Sequence, residues 1–328
     1  MREPCSTSAL REIFLNQDEA AACDSLAEAV ALGHSILTLD GLATNDEVAT
    51  LKAEAVKAAG ELAASPEGER TTEQRIVEMR AAYIKAGVSW RTRTAVNGDG
   101  GASWHRLKIT DNLEAPGQAL CDALLLQALS LVGVELVQYL FGDRIANSPA
   151  TCVHNPQLAF SPHEPAVNVY FAGGAFKAHQ DKQSLTVLVP LSDTSEFDGG
   201  GTAFWSLADA GPGASKGSAR LPTMVLRPPA GTAMIWGGSV LHSGLPVEAG
   251  QRCVFVASFS PTNTPDNKPS GPASRPAATK RTSGEAGGGA SPPSEAEPAL
   301  LGLAELRVGT DVNIAASHRR MAEILRGR

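Results

Sequence analysis

The sequence predicts a mainly β protein with helices packed on it, and two observations support this fold class. Apolar residues recur at helical spacing through residues 1–150, and the period changes to two over residues 151–260. In the second stretch, short apolar runs are separated by Pro- and Gly-rich turns, and no helical pattern lies between them. Such closely spaced strands favour an antiparallel sandwich or barrel over alternating strand–helix units.

The N-terminal stretch, residues 1–150, is predicted to be a mostly helical support region. It contains one predicted short strand, at residues 35–42, which ends at a glycine. A helix is expected to follow, because Thr44 or Asn45 can cap it and acidic residues occupy its first turn. Two further helices are predicted, over residues 69–87 and over the leucine-rich residues 117–142.

Six short runs in the β-rich core are predicted strands. In chain order they read AVNVYF, LTVLVPLS, GTAFW, TMVLRP, GTAMIW and CVFVASF. Two of these runs lie close together in residues 223–236, separated by Pro-Pro-Ala-Gly. Because this tetrapeptide is rich in turn-forming residues, a hairpin is predicted there.

Beyond the core, residues 261–298 contain Pro, Ser, Gly, Thr, Ala and charged residues but no large apolar residue. Such a segment buries too little apolar surface to offset the entropy lost on ordering, so a disordered linker is predicted. Residues 299–328 are predicted to form a C-terminal helical segment. Its leucines could dock on the body of the protein or bind a partner.

Charge and cysteine usage narrow the range of partners and compartments. The formal net charge is −7 and the basic residues are dispersed, so nucleic acid is not an expected partner. The five cysteines form no C-x-x-C pair, which indicates reduced thiols in an intracellular, cytoplasmic protein. The N-terminus lacks the apolar core of a signal peptide, and no apolar run approaches the ~20 residues of a membrane span.

A candidate metal site begins at His179 and Asp181, two residues apart at a predicted strand. Side chains at i and i+2 of a strand share one face, although the pair alone also fits a polar surface turn or half of a hydrolase triad. A further histidine, His242, ends a later strand-like run. Two histidines and one carboxylate form the facial triad of non-haem Fe(II) oxygenases, which leaves coordination positions open.

Two more side chains acquire a role beside such a metal. Arg252 begins the last predicted strand, and its guanidinium can grip the far carboxylate of a metal-chelating 2-oxo acid. Tyr170 lies nine residues before His179, on the preceding predicted strand, and could donate its hydroxyl to the same ligand. The alternatives are a surface salt bridge for Arg252 and core packing for Tyr170.

The ordered motifs over roughly residues 155–260 resemble the 2-oxoglutarate/Fe(II)-dependent dioxygenase superfamily, in its prolyl 4-hydroxylase-like branch. The matching residues are Tyr170, Gly173, Phe176, His179, Asp181, Gly199, Gly200, Thr202, Phe204, His242, Gly244, Val247, Gly250 and Arg252. The resemblance implies a double-stranded β-helix (jelly-roll) core with helices on its outer side. It also implies Fe(II) at His179, Asp181 and His242, 2-oxoglutarate on Arg252, and ascorbate as reductant. Collagen-type prolyl hydroxylases usually carry Lys at the position of Arg252, and the N-terminal region shows no match.

The implied reaction uses O₂ and releases succinate and CO₂ while a C–H bond of a small molecule or a peptidyl, prolyl-type residue is hydroxylated. The alternatives are a catalytically inactive jelly-roll binding module, a cupin-like metal enzyme and a Ser/His/Asp hydrolase with His242 as base. Trp205 and Trp236 are expected in the core rather than at the substrate mouth. Trp90 and Trp104 are expected in a loop over the site.

Overall fold

The computed structural model describes residues 9–64, 92–96 (backbone only), 102–142, 151–210 and 221–262. The helix predicted over residues 69–87, nearly all of the predicted linker, the C-terminal segment and Trp90 lie outside the described residues.

The described residues form fifteen strands, and every strand pairing among them is antiparallel. In chain order the strands are β1 (Leu10–Phe14), β2 (Ser35–Leu39), β3 (Thr92–Val96), β4 (Ala102–Lys108), β5 (Leu158–Phe160), β6 (Ala166–Tyr170), β7 (Phe176–His179), β8 (Leu185–Pro190), β9 (Phe197–Gly199), β10 (Thr202–Trp205), β11 (Met224–Leu226), β12 (Ala233–Gly237), β13 (Leu241–Gly244), β14 (Val247–Gly250) and β15 (Arg252–Pro261). The large sheet has the order β1-β2-β12-β8-β15-β6-β4-β3, with β5 also paired to β15. A small sheet has the order β11-β10-β13-β7, and β9 pairs with β14.

The two sheets face each other and form a sandwich. Between them lies an apolar cluster in which the ring of Phe204 on β10 meets the ring of Trp236 on β12, with centroids 5.2 Å apart. Eight strands form the core. Four of them have the order β12-β8-β15-β6 in the large sheet, four have the order β11-β10-β13-β7 in the small sheet, and the chain passes repeatedly from one sheet to the other. This is the topology of a jelly roll, as predicted.

Helices cover the outer face of the large sheet. They are α1 (Gln17–Ala21), α2 (Leu26–Leu32), α3 (Asn45–Ala63), α4 (Ile109–Asn112), α5 (Ala115–Leu131) and α6 (Val134–Phe141). A further short helix, α7 (Leu207–Ala210), lies instead between β10 and β11 of the small sheet. Thr44 caps α3 through a capping box with Glu47, as the sequence indicated. Alternate residues of β15, among them Phe255 and Phe259, are fully buried in the core shared with these helices.

The leucine-rich residues 117–142 do not form the single helix predicted. Gly133, with φ +92° and ψ 152°, separates α5 from α6, and the two helix axes are bent by 105°. That backbone conformation is open to glycine and rare for other residues. The bend brings Phe141 of α6 onto Phe259 of β15, with ring centroids 5.4 Å apart. No single helix in the described ranges is long and apolar enough to cross a membrane; only the bent pair passes that test, by length and composition alone.

Two further expectations differ from the structure. The hairpin predicted at residues 223–236 is wrong, because β11 belongs to the small sheet and β12 to the large one. The Pro-Pro-Ala-Gly segment carries the chain between the sheets. Its Gly231 has φ +82°, and a Cβ at this position would collide with the backbone oxygen of Ala43. The described part of the N-terminal region also adds four strands to the large sheet, of which only β2 was predicted.

Candidate functional site

Two strands of the small sheet bring the two histidines together. His179 ends β7 and is the register partner of His242 on β13, and their ring centroids are 4.4 Å apart. Asp181 lies two residues beyond the end of β7, in the connection to β8, so the two residues do not share a strand face as the sequence predicted. A hydrogen bond of 2.6 Å from the Thr186 hydroxyl on β8 holds Asp181 Oδ2 instead.

The three side chains converge on one point. Asp181 Oδ1 lies 3.2 Å from His179 Nε2, and Asp181 Oδ2 lies 3.5 Å from His242 Nε2. The candidate ligand atoms of the three residues all lie within 4.8 Å of one another. The structure therefore brings together the three predicted metal ligands from two strands and one connection.

Backbone carbonyls set the protonation of both imidazoles. His179 Nδ1 lies 2.8 Å from the carbonyl oxygen of Lys177, and His242 Nδ1 lies 3.1 Å from that of Val240. A carbonyl oxygen only accepts hydrogen bonds, so each Nδ1 carries the proton and donates it. The lone pair of each Nε2 is then left for a metal, which is the usual outer hydrogen bond of a metal-binding histidine.

The charge states also suit a metal. Burial raises the pKa of Asp181, but the adjacent His242 and His179 and the hydrogen bond from Thr186 outweigh it and hold that pKa below its ordinary value. Burial lowers the pKa of His242, which keeps its imidazole neutral. One ionised carboxylate with two imidazole nitrogens is a donor set for a divalent first-row metal. These residues fit Fe(II).

Arg252 and Tyr170 lie side by side across the large sheet, as register partners on β15 and β6. Both side chains are buried, and the guanidinium carbon lies 5.6 Å from the centroid of the Tyr170 ring. Arg252 Nη2 donates to the hydroxyl of Thr202, at 3.1 Å. No carboxylate in the described part of the chain forms an ion pair with Arg252. A buried guanidinium without an anionic partner suits the carboxylate of a ligand.

One cavity joins the triad to Arg252 and Tyr170. It is also lined by three polar residues that no sequence motif indicated, Arg106 on β4, Glu164 before β6 and Asn168 on β6. Residues Ser103 to Leu107 of β4 are buried, but polar side chains interrupt the apolar run that marks the other buried core strands, so Arg106 was not predicted. Glu164 and Asn168 do not lie at the spacing of a metal-binding motif, so the sequence did not indicate a role for them.

The remaining aromatic candidates are core residues. Trp205 and Trp236 are buried, as expected, and the Trp236 ring packs 4.8 Å from that of His242. Trp104 lies in β4 rather than in a loop, and its ring lies 5.4 Å from that of Phe176. Its position beside the site follows from the pairing of β4 with β6, which is not visible in the sequence.

No protein-family model matches the sequence, and no curated protein matches it. Solved structures that resemble it include AviO1 from Streptomyces viridochromogenes Tue57 (15% identity, 77% of this chain, 98% of that chain, TM-score 0.44). Another is a prolyl-4-hydroxylase from Pseudomonas putida (14% identity, 74% of this chain, 99% of that chain, TM-score 0.38). A third is an oxidoreductase of the 2OG-Fe(II) oxygenase family from Burkholderia pseudomallei (16% identity, 56% of this chain, 78% of that chain, TM-score 0.31). Because these TM-scores are below 0.5, the functional assignment depends on the side chains of this chain.

Proposed function

We propose that the protein is an Fe(II)- and 2-oxoglutarate-dependent dioxygenase. The observation that supports this proposal best is the shared cavity. It contains a two-histidine, one-carboxylate triad and a buried guanidinium that has no anionic partner within the described ranges. The triad leaves coordination positions open, and the guanidinium matches a cosubstrate with a second carboxylate.

His179, Asp181 and His242 would hold Fe(II) through two imidazole nitrogens and a carboxylate oxygen. When bound with 2-oxoglutarate and O₂, the metal supplies oxidative decarboxylation to succinate and CO₂, coupled to hydroxylation of a substrate C–H bond. The carbonyls of Lys177 and Val240 keep each Nδ1 protonated, so the imidazoles stay in the metal-binding tautomer.

Arg252 would bind the distal carboxylate of 2-oxoglutarate, with its guanidinium oriented by Thr202. Tyr170 can assist, because Asn168 Nδ2 donates to its hydroxyl oxygen at 3.2 Å and leaves the hydroxyl hydrogen free to donate. Burial raises the pKa of Tyr170, which keeps that hydrogen in place. The far end of the diacid therefore meets one permanent cation and one neutral donor.

Apolar side chains complete the cavity and exclude water from the reacting atoms. Leu188, Val254 and Val256 project from β8 and β15 into the space between the sheets, and all three are buried. A dry wall beside the metal strengthens the interaction of Arg252 with a carboxylate and protects reactive species from solvent.

The geometry disfavours the hydrolase alternative. In a Ser/His/Asp triad, the carboxylate orients Nδ1 and leaves Nε2 for the nucleophile. Here Asp181 faces Nε2 of both histidines, while Nδ1 of each is bound to a backbone carbonyl. An inactive binding module would be expected to have lost a metal ligand, and the chain retains all three. The substrate is proposed to be a small molecule or a peptidyl, prolyl-type residue.

The test is succinate formation by the full chain with Fe(II), 2-oxoglutarate, O₂ and ascorbate, screened against a library of metabolites and peptides. We expect succinate that depends on both Fe(II) and 2-oxoglutarate, rises with one class of library member and is lost in His179→Ala. Arg11→Met is the matched control, because Arg11 is exposed and pairs with Asp40 away from the cavity. Failure of the wild type to bind a divalent metal, with no succinate for any library member, would refute the proposal.

A further inference from the structure

The strand register places a second polar group inside the cavity. Arg106 on β4 is the register partner of Asn168 on β6, and Asn168 is that of Val254 on β15. This row lies two residues along the sheet from the row of Tyr170 and Arg252, a separation of about 7 Å. Both side chains line the cavity that also contains the triad and Arg252.

Each of these two residues has one end fixed and one atom without a partner. Arg106 Nη2 pairs with Glu164, but Arg106 Nε has no hydrogen-bond partner among the described residues. Asn168 Nδ2 donates to Tyr170, but Asn168 Oδ1 accepts from no group that the structure describes. Among the buried polar atoms without partners in the described part of the chain, these are the two whose residues line this cavity.

Burying these two atoms without hydrogen bonds costs free energy, which argues that a ligand group binds to them. Arg106 and Asn168 are 5% and 4% exposed, so bulk water does not satisfy them. Buried polar groups in folded proteins are nearly always hydrogen-bonded, and an exception calls for an explanation. One unpartnered donor and one unpartnered acceptor, side by side on adjacent strands, match a group that both accepts and donates a hydrogen bond.

The balanced charges of Arg106 and Glu164 favour an uncharged ligand group. Glu164 neutralises Arg106, and the other oxygen of Glu164 accepts the backbone N–H of Ser258. An ionised ligand group placed here would therefore be buried without a free counter-charge, which is unfavourable. A carboxylate is better served by Arg252, whose guanidinium has no acidic partner in the described part of the chain.

The Phe176 ring lies close to both Arg106 and the proposed metal ligand His179. The guanidinium carbon of Arg106 lies 5.7 Å from the centroid of the Phe176 ring, and that ring lies 4.7 Å from the imidazole of His179. A group bound to Arg106 is thus separated from a metal ligand by one ring. This distance suits a substrate whose reacting carbon faces the metal.

We propose that Arg106 and Asn168 form a recognition pair that binds an uncharged amide or hydroxyl group of the substrate to be oxidised. The pair defines the substrate class as one that carries such a group close to the oxidised carbon. This inference rests on the proposed dioxygenase function. Glu164 acts as a positioning residue that holds and neutralises Arg106.

The test uses the full chain loaded with redox-inert Mn(II) and saturating 2-oxoglutarate. Acetamide is the probe and acetate its isosteric, charged control; paramagnetic relaxation of the methyl protons by Mn(II) reports binding close to the metal. We expect saturable binding of acetamide to the wild type and weaker binding of acetate. Arg106→Met/Glu164→Gln, which removes both charges and leaves neither buried alone, should weaken acetamide binding at least tenfold.

Two comparisons make the test specific. Asn168→Leu should weaken acetamide binding by a similar factor. The combination of all three substitutions should weaken it less than the product of the two factors, because one ligand group bridges both residues. The affinity of the Arg106→Met/Glu164→Gln variant for 2-oxoglutarate should stay within about twofold of the wild type, since Arg252 is untouched. Arg11→Met should change neither affinity.

The outcomes separate this inference from the proposed function. A wild type that binds neither Mn(II) nor 2-oxoglutarate overturns the dioxygenase proposal, and the recognition pair falls with it. Normal binding of both, with acetamide not bound or bound equally by the variants, overturns the recognition pair alone. An equal loss of acetamide and 2-oxoglutarate affinity would assign Arg106 to the cosubstrate site, and tighter binding of acetate would make the pair an anion site; both results contradict the inference.

Discussion

Replacing Arg252 with Met should greatly weaken 2-oxoglutarate binding without damaging the fold. Arg252 is 4% exposed, donates to Thr202 and forms no ion pair with a carboxylate in the described part of the chain. Its desolvation is therefore uncompensated until a diacid binds. Met fills a similar volume without a charge, so the free energy of unfolding of the ligand-free variant should be unchanged or higher by about 1 kcal/mol.

The magnitude of the binding defect follows from the hydrogen bonds lost. A hydrogen bond to a charged group contributes about 1.5–3 kcal/mol. A loss of about 3 kcal/mol in total corresponds to about a hundredfold weaker binding of 2-oxoglutarate. Arg252→Lys keeps the charge but loses the planar fork, so a loss of about 1.4 kcal/mol, or tenfold, is expected.

Tryptophan fluorescence provides the assay, in the presence of Mn(II) so that no turnover occurs. The Trp236 ring lies 4.8 Å from that of His242, and the Trp104 ring lies 6.1 Å from that of Tyr170, so both report on the cavity. Saturating 2-oxoglutarate, at about 100 times its Kd, should stabilise the wild type by about 2.7 kcal/mol. Should Arg252→Met bind 2-oxoglutarate within twofold of the wild type, with normal Mn(II) affinity, the guanidinium is not the cosubstrate anchor.

Three further predictions test the hydrogen bonding, packing and burial around the site. Thr186→Val should weaken Mn(II) binding about 10- to 100-fold by calorimetry, because outer hydrogen bonds orient metal ligands; an unchanged affinity would contradict that role. Gly238→Ala would drive a Cβ into the backbone oxygen of Gln183, in the loop that carries the proposed metal ligand Asp181, so denaturant unfolding should show a loss of more than about 2 kcal/mol. Gly60→Ala, in open space within α3, should stabilise by up to about 1 kcal/mol, and equal losses for the two would disprove the steric argument. Burial raises the pKa of Cys253 to about 11, so site-resolved mass spectrometry should find the more exposed Cys23 alkylated by iodoacetamide at pH 8 well before Cys253; equal rates would be inconsistent with the burial.

The composition of the candidate site could be read from the sequence because metal chemistry restricts residue types. Few side chains bind a divalent metal, and His179, Asp181 and His242 stand at motif spacings that the structure brings together. Six of the eight core strands were predicted for a similar reason, since short apolar runs bounded by turn residues mark buried strands. Both signals come from short segments, and the preferences of a short segment do not depend on where it lies in the fold.

The tertiary structure alone decided which segments meet. Strands β11 and β12 have the same kind of pattern, and only long-range pairing assigns them to different sheets. Strand β4 was not predicted, because polar residues interrupt its buried run, and its pairing with β6, which brings Arg106 into the cavity, joins segments far apart in the chain. Residue types and their spacing therefore indicated the metal chemistry. The register between distant strands decided what else surrounds the candidate metal site, because register depends on the packing of the whole sandwich.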